Sequence, residues 1–195
     1  VEEGILTKVI ACSPGACSTE FYHWASGNDK MVFMPQPIML DPAWLGQQEN
    51  LVSINATFMC DLLGQCCSEA QGLMPYSGAG GSFSYIYGAT LAKNGRSFIC
   101  LRSTYVDHDG ETHSNIVPWL PEGCIVTTPK NFVMYIVSEW GLADCYLRTC
   151  KDRIRALIKI AHPDFRKELM EKIVTTPLIK EDDLEGYDPF DNIKK

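Results

Sequence analysis

No run in this sequence stays apolar for the roughly 18 residues that a membrane-spanning helix needs, and its first residues show no secretory signal pattern. Dense Lys/Arg clusters are missing too, and with them the basic stripe of a general nucleic-acid binder. The nine cysteines are an odd number and include no C-x-x-C pair. Their closest spacings are the adjacent Cys66 and Cys67, then Cys12/Cys17 and Cys145/Cys150, each with four residues between. A zinc ribbon or disulfide scaffold would show regular pairs. The cysteines therefore read as buried free thiols of a reducing compartment, and the protein as cytoplasmic and soluble, with neither membrane nor nucleic acid as partner. Also absent are a G-x-S-x-G elbow, a Gly-Lys-Ser/Thr phosphate loop and a dinucleotide fingerprint, whose third glycine position holds Phe83.

What is present is ordinary globular material. Hydrophobic residues make up 46% and charged residues 21% of 195 positions, enough to bury a normal core without a metal staple. The net charge of −7 is partly local. Residues 180–195 hold six acids and three lysines, so this tail is either a solvated extension or a strap across the domain surface. Domain boundaries follow: 1–178 as the folded domain and 179–195 as an acidic extension.

Strand-like runs fall at Ile5–Ala11, Met31–Met34, Leu51–Phe58 (read as a buried strand), Ser97–Leu101, Ile125–Thr128 and Phe132–Val137. Helices are expected from Ser18 to Ala25 with Gly27 at the terminus, after the Asp41-Pro42 cap, and from a Ser82 cap to about Lys93. Ser13-Pro14-Gly15 reads as a turn. Ile154, Leu157, Ile158 and Ala161 share one helix face, and Pro163 turns His162 out of the α region before a second helix carrying Phe165, Leu169 and Ile173. Strands interleaved with helices indicate an α/β domain with a mostly parallel sheet.

Three features carry chemistry. Gly78-Ala79-Gly80-Gly81 before a helix is either a plain turn or a cradle whose N–H groups face an anion. Glu139, just past an apolar strand, sits where α/β domains place their sites, or is a carboxylate satisfied by a neighbour. Asp107-His108-Asp109 with Glu111 and His113 has metal-ligand residue types, but reads as a Gly-containing surface loop, so no metal is expected. Lys93 by itself is a solvated lysine.

The order of motifs adds a resemblance. Ile160-Ala161-His162-Pro163-Asp164-Phe165-Arg166, Val137 to Ala143, Gly78 to Gly81, Gly88-Ala89, Lys93-Asn94-Gly95, Ser53-Ile54-Asn55 and Asp61 to Gln65 are similar, in sequence order, to motifs of the acetyl-CoA hydrolase/transferase family. The resemblance implies the C-terminal domain of a coenzyme A transferase: a three-layer, open, mostly parallel sheet of the CoA-transferase (NagB/RpiA-like) type. It further implies a substrate pair of acyl-CoA and a short carboxylate such as acetate, coenzyme A as substrate with no permanently bound cofactor, an N-terminal domain as partner, and a homodimer. The nucleophile of the family is a glutamate that forms a glutamyl-CoA thioester; its motif falls upstream of Val1, next to the match at Glu2 to Thr7, so this chain alone is expected to be inactive. Gly78, Gly80 and Gly81 would line the oxyanion region, Lys93 would contact coenzyme A, and Glu139 would shape the carboxylate pocket. Three positions depart from the pattern: Leu40 replaces an asparagine, Ser84 an aspartate and Asn115 an arginine. They keep open a coenzyme A-binding module that has lost its chemistry, and an acyl-CoA hydrolase stays open because the same nucleophile could serve water as acceptor.

Overall fold

The computed structural model describes residues 3–4, 7–11, 18–71 and 73–191. The Ser13-Pro14-Gly15 turn, the Cys12/Cys17 pair and the start of the Ile5–Ala11 run lie outside the described residues. β1 (Val9–Ala11) and β2 (Met31–Phe33) pair in parallel around α1 (Thr19–Ala25). The Ser18 hydroxyl accepts the Phe21 N–H at 3.3 Å, and Gly27 takes φ +73° just past the helix end. α2 (Gln36–Met39) leads to α3 (Pro42–Gly46), where Asp41 accepts the Ala43 N–H at 2.9 Å and Pro42 fills the first turn.

The middle of the chain is rich in short strands: β3 (Val52–Ala56), β4 (Met59–Asp61), β5 (Cys66–Cys67), β6 (Ala70–Gln71) and β7 (Met74–Pro75). Then come α4 (Ser82–Leu91), β8 (Arg96–Cys100), β9 (Thr104–Val106), β10 (Thr112–Ser114), β11 (Ile116–Val117), β12 (Tyr135–Ser138) and β13 (Gly141–Asp144). The largest sheet has the order β13-β12-β8-β3, with β3, β8 and β12 parallel and β13 antiparallel to β12. A three-stranded sheet, β11-β4-β5, pairs β11 with β4 in parallel. The fold is thus α/β with mostly parallel pairing in its main sheet.

One apolar core runs through Ile86 of α4, Ile99, Ile136 and Ala143 of the sheet, and the helix that follows β13. Gly88 lets α4 meet α3 closely, since a Cβ there would lie 2.5 Å from that of Leu45. The opposite sheet face is open among the described residues: Ile54 is 71% exposed, Val52 55% and Leu142 51%. β3 therefore alternates between exposed and buried positions instead of being buried throughout, because only one face of this chain's sheet is covered. Cys60, Cys66 and Cys145 are buried free thiols; burial raises all three, Cys145 to about 12.

α5 (Cys150–Ile160) and α6 (Pro163–Ile173) match the sequence spacing, capped by Thr149 and by His162. His162 has φ −58° and ψ 136°, extended as a residue before proline must be. The acidic tail is a strap as far as residue 191. Ile179 is 1% exposed and joins the core, and Asp183 and Asp191 pair with Lys151 at 2.7 Å and Lys159 at 2.5 Å. Tyr187 Oη donates to the Arg155 carbonyl at 2.5 Å, so three α5 residues spaced by four hold the strap.

Two further local expectations fail. Ile125–Thr128 is not a strand, because apart from a bridge between Thr128 and Cys66 it has no ladder partner among the described residues. α4 is capped by Gly81 and ends at Leu91, with Asn94 at φ 59° and Gly95 completing the turn that the sequence placed at 94–95.

Candidate active site

The carboxyl ends of β3, β8 and β12 open onto a cavity of about 800 Å³ lined by Thr57, Phe58, Arg102, Thr104, Tyr105, Val106, Asn115 and Glu139. Glu139 and Trp140 form the two-residue turn between β12 and β13, with Ser138 paired to Gly141. Gly141 has φ +140°, a backbone setting that favours glycine. The Glu139 carboxylate accepts the Ser103 hydroxyl, and the Ser103 N–H lies 3.2 and 3.0 Å from its two oxygens. Burial alone would raise its pKa, but the Ser103 hydroxyl, backbone N–H groups and nearby His162 outweigh it and hold Glu139 below the usual range. Glu139 is therefore an ionised carboxylate with one side toward the cavity.

The α5–α6 junction holds this turn. Ser138 Oγ donates to the Ile160 carbonyl at 2.5 Å and accepts the Trp140 N–H at 3.1 Å. His162 meets the Trp140 ring edge-on at 5.3 Å, and the Arg166 guanidinium lies 5.8 Å from that ring while donating to the Ala161 carbonyl. The motif around His162, which the sequence presents mainly as a helix break, thus positions the turn that carries Glu139.

The glycine loop lies at the same end of the sheet. Tyr76, just before it, packs edge-on against the cavity residue Phe58 with centroids 5.0 Å apart. Gly80 has φ +61°, and among the described residues nothing but the chain neighbours comes within 4 Å of the place a Cβ would take at Gly78 or Gly80, so both backbones are open to a ligand. Gly81 instead faces Leu40, whose Cδ2 would be 2.5 Å from a Cβ there. Leu40 therefore presents an apolar side chain to the loop at a position where the motif has an amide. The Ser82 hydroxyl, at the first helical position, is buried without a hydrogen-bond partner among the described residues.

Lys93 is placed elsewhere. Its carbonyl accepts the Asn50 N–H, and both residues precede the first residues of β8 and β3, so Lys93 is at the far end of the sheet from Glu139. Its Nζ pairs with Glu49 at 3.0 Å, both side chains well exposed. The structure brings Glu139 and Gly78–Gly81 to one end and leaves Lys93 at the other.

Two other motifs resolve into local structure. The buried Asp61 carboxylate accepts the Leu63 and Gln65 N–H groups and the Gln65 side chain at 2.6 Å, which fixes the β4–β5 turn. Burial raises its pKa despite these bonds. Asp107, Glu111 and His113 have ligand atoms within 4.8 Å of one another on the β9–β10 hairpin. Asp107 is occupied in that turn, accepting the Asp109 and Glu111 N–H groups and meeting His113 Nε2 at 2.7 Å. Sequence reasoning missed Ser103, 36 residues from the carboxylate it holds, and Arg102 beside it. Asn115, noted only as a departure, lines the cavity; Ser84 sits half-buried in the first turn of α4.

Residues 17–173 match the acetyl-CoA hydrolase/transferase C-terminal domain. The chain belongs to this family. Among similar CoA-transferases, it is 42% identical over 154 residues to the succinyl-CoA:cyclohexane-1-carboxylate CoA transferase of Geobacter metallireducens, covering 79% of this chain and 35% of that protein. With the butyryl-CoA:acetate CoA-transferase of Anaerostipes caccae the identity is 38% over 156 residues, covering 80% and 35%. The crystal structure of RipA from Yersinia pestis superposes with a TM-score of 0.73 at 35% identity, covering 82% of this chain and 35% of that one. This family member spans about a third of the length of each of these proteins. Among its described residues no helix is long and apolar enough to cross a membrane.

Proposed function

We propose that this chain is the C-terminal, carboxylate-handling part of an enzyme that moves coenzyme A between an acyl-CoA and a short carboxylic acid such as acetate. The observation that carries the reading is Glu139, held ionised by Ser103 at the mouth of a cavity at the carboxyl ends of three parallel strands. The nucleophilic glutamate is assigned outside these 195 residues, because its motif precedes the match at Glu2 to Thr7. That carboxylate attacks the acyl-CoA carbonyl and releases the thiolate, leaving a mixed anhydride. The thiolate then attacks the glutamyl carbonyl, expelling the first carboxylate and leaving a glutamyl-CoA thioester; the second acid reverses both steps.

Each attack builds an oxyanion. The N–H groups at Gly80 and the α4 N-terminus suit it, because the loop is open at Gly80 and fixed donors need no reorganisation, while Gly81 would donate from beside Leu40. Glu139 shapes the site of the carboxylate without attacking. The position of Lys93 restricts it to a part of coenzyme A remote from the thioester. Coenzyme A is a substrate here, the remainder of the enzyme and a second protomer are the proposed partners, and no bound cofactor has a role in this scheme.

The test is exchange between butyryl-CoA and labelled acetate, measured for the complete gene product and for this chain alone. Exchange by the complete protein and none by the chain supports the reading. Binding of butyryl-CoA without exchange favours instead the non-catalytic module, to which Leu40 against Gly81 points. Loss of the thioester without label uptake favours a hydrolase.

A further inference from the structure

Resting on that reading, the structure raises a charge problem at the acceptor site. An ionised Glu139 faces the cavity, and a substrate carboxylate brought beside it is repelled unless a cation shares the space. Of the described residues lining the cavity, Arg102 alone carries positive charge. We propose that Arg102 is the specificity-determining residue that binds the acceptor carboxylate, and that the acceptor is a monocarboxylic acid with an apolar tail.

The backbone around Arg102 is rigid. Leu101 N–H donates to the Val137 carbonyl at 2.9 Å, Ser103 N–H is held by Glu139, and the Arg102 carbonyl accepts Asn115 Nδ2 at 3.0 Å. The side chain is exposed, and among the described residues its guanidinium has neither ion pair nor hydrogen bond. Fixed at its base and free at its tip, Arg102 offers the planar fork that matches a carboxylate in two parallel hydrogen bonds. Phe58, Tyr105 and Val106 give the cavity an apolar or aromatic wall that fits a hydrocarbon tail, and a second carboxylate of a diacid finds no second cation among the described lining residues.

The experiment uses the complete gene product as wild type, Arg102→Gln and Arg102→Lys, with equal thermal midpoints confirming the fold. Acetate and butyrate KM are measured against butyryl-CoA KM. Loss of a charge-assisted pair raises the carboxylate KM roughly ten- to a hundred-fold in Arg102→Gln, with the butyryl-CoA KM changed less than about threefold, and Arg102→Lys recovers part of the loss because the charge remains without the fork. An unchanged carboxylate KM, or an equal rise in both KM values, overturns the proposal. Should the wild type show no exchange, the transferase reading fails separately, and calorimetric titration of butyrate decides on Arg102: binding lost in Arg102→Gln upholds it, and binding that persists or is absent from the wild type overturns it.

Discussion

Glu139 keeps its charge because two groups of one residue, the Ser103 hydroxyl and N–H, converge on it from the next strand end. Its lowered pKa has a defined sign in linkage terms. The stabilisation is present above the unfolded-state pKa and is lost as pH falls through the lower folded-state value. Ser103→Ala removes the hydroxyl donor and leaves the N–H, so the Glu139 carboxyl is expected to titrate at higher pH in a carbon-13 NMR titration. An unchanged midpoint would show that Ser103 does not set this charge. Glu139 itself was legible in the sequence because a carboxylate directly follows an apolar strand. Its partner was not, since Ser103 is joined to it only by the parallel pairing of β8 with β12.

At the scale of elements, α6 and the strap act as a buttress for the Glu139 turn. Arg166, fully buried, donates to the Ala161 and Pro189 carbonyls and lies against the rings of Trp140 and Phe190. Arg166→Met keeps the volume but leaves those carbonyls without a donor, and is expected to cost about 2–4 kcal/mol in urea unfolding and to speed proteolysis within 180–191. A change below about 0.5 kcal/mol would mean the strap is not anchored there. The Lys151 and Lys159 ion pairs are partly exposed and each contributes at most about 1 kcal/mol, so raised salt alone should not release the strap. Asp61→Ala should likewise destabilise by roughly 2–3 kcal/mol, because the Leu63 and Gln65 N–H groups lose their acceptor. Elements with their own period or cap, such as α5, α6 and α3, were readable from sequence. Two-residue strands such as β5 and β11 were not, because they are too short to show a period and exist only through their partners, β5 beside β4 and β11 where Ile116 aligns with the distant Cys60. Ile125–Thr128 shows the converse, with apolar residues in a row but no ladder to join.

For the whole molecule, the main sheet is covered on one face and open on the other, where Val52, Ile54 and Leu142 are exposed. A chain studied alone should therefore associate as its concentration rises, and Ile54→Lys should reduce that association in sedimentation velocity. Equal behaviour of the two proteins would show that this face is not sticky. The residue motifs announced the family, yet the arrangement of the site needed the fold. Lys93 and Gly81 are 12 positions apart in sequence, yet α4 carries one to each end of the sheet. The central claim is that Glu139 works in coenzyme A transfer, and its most direct test is labelled-acetate exchange by the complete gene product carrying Glu139→Gln. This account predicts a loss of about a hundred-fold, because Glu139 positions the pocket, in a variant that still unfolds cooperatively with a slightly lowered thermal midpoint. Exchange at the wild-type rate would contradict it.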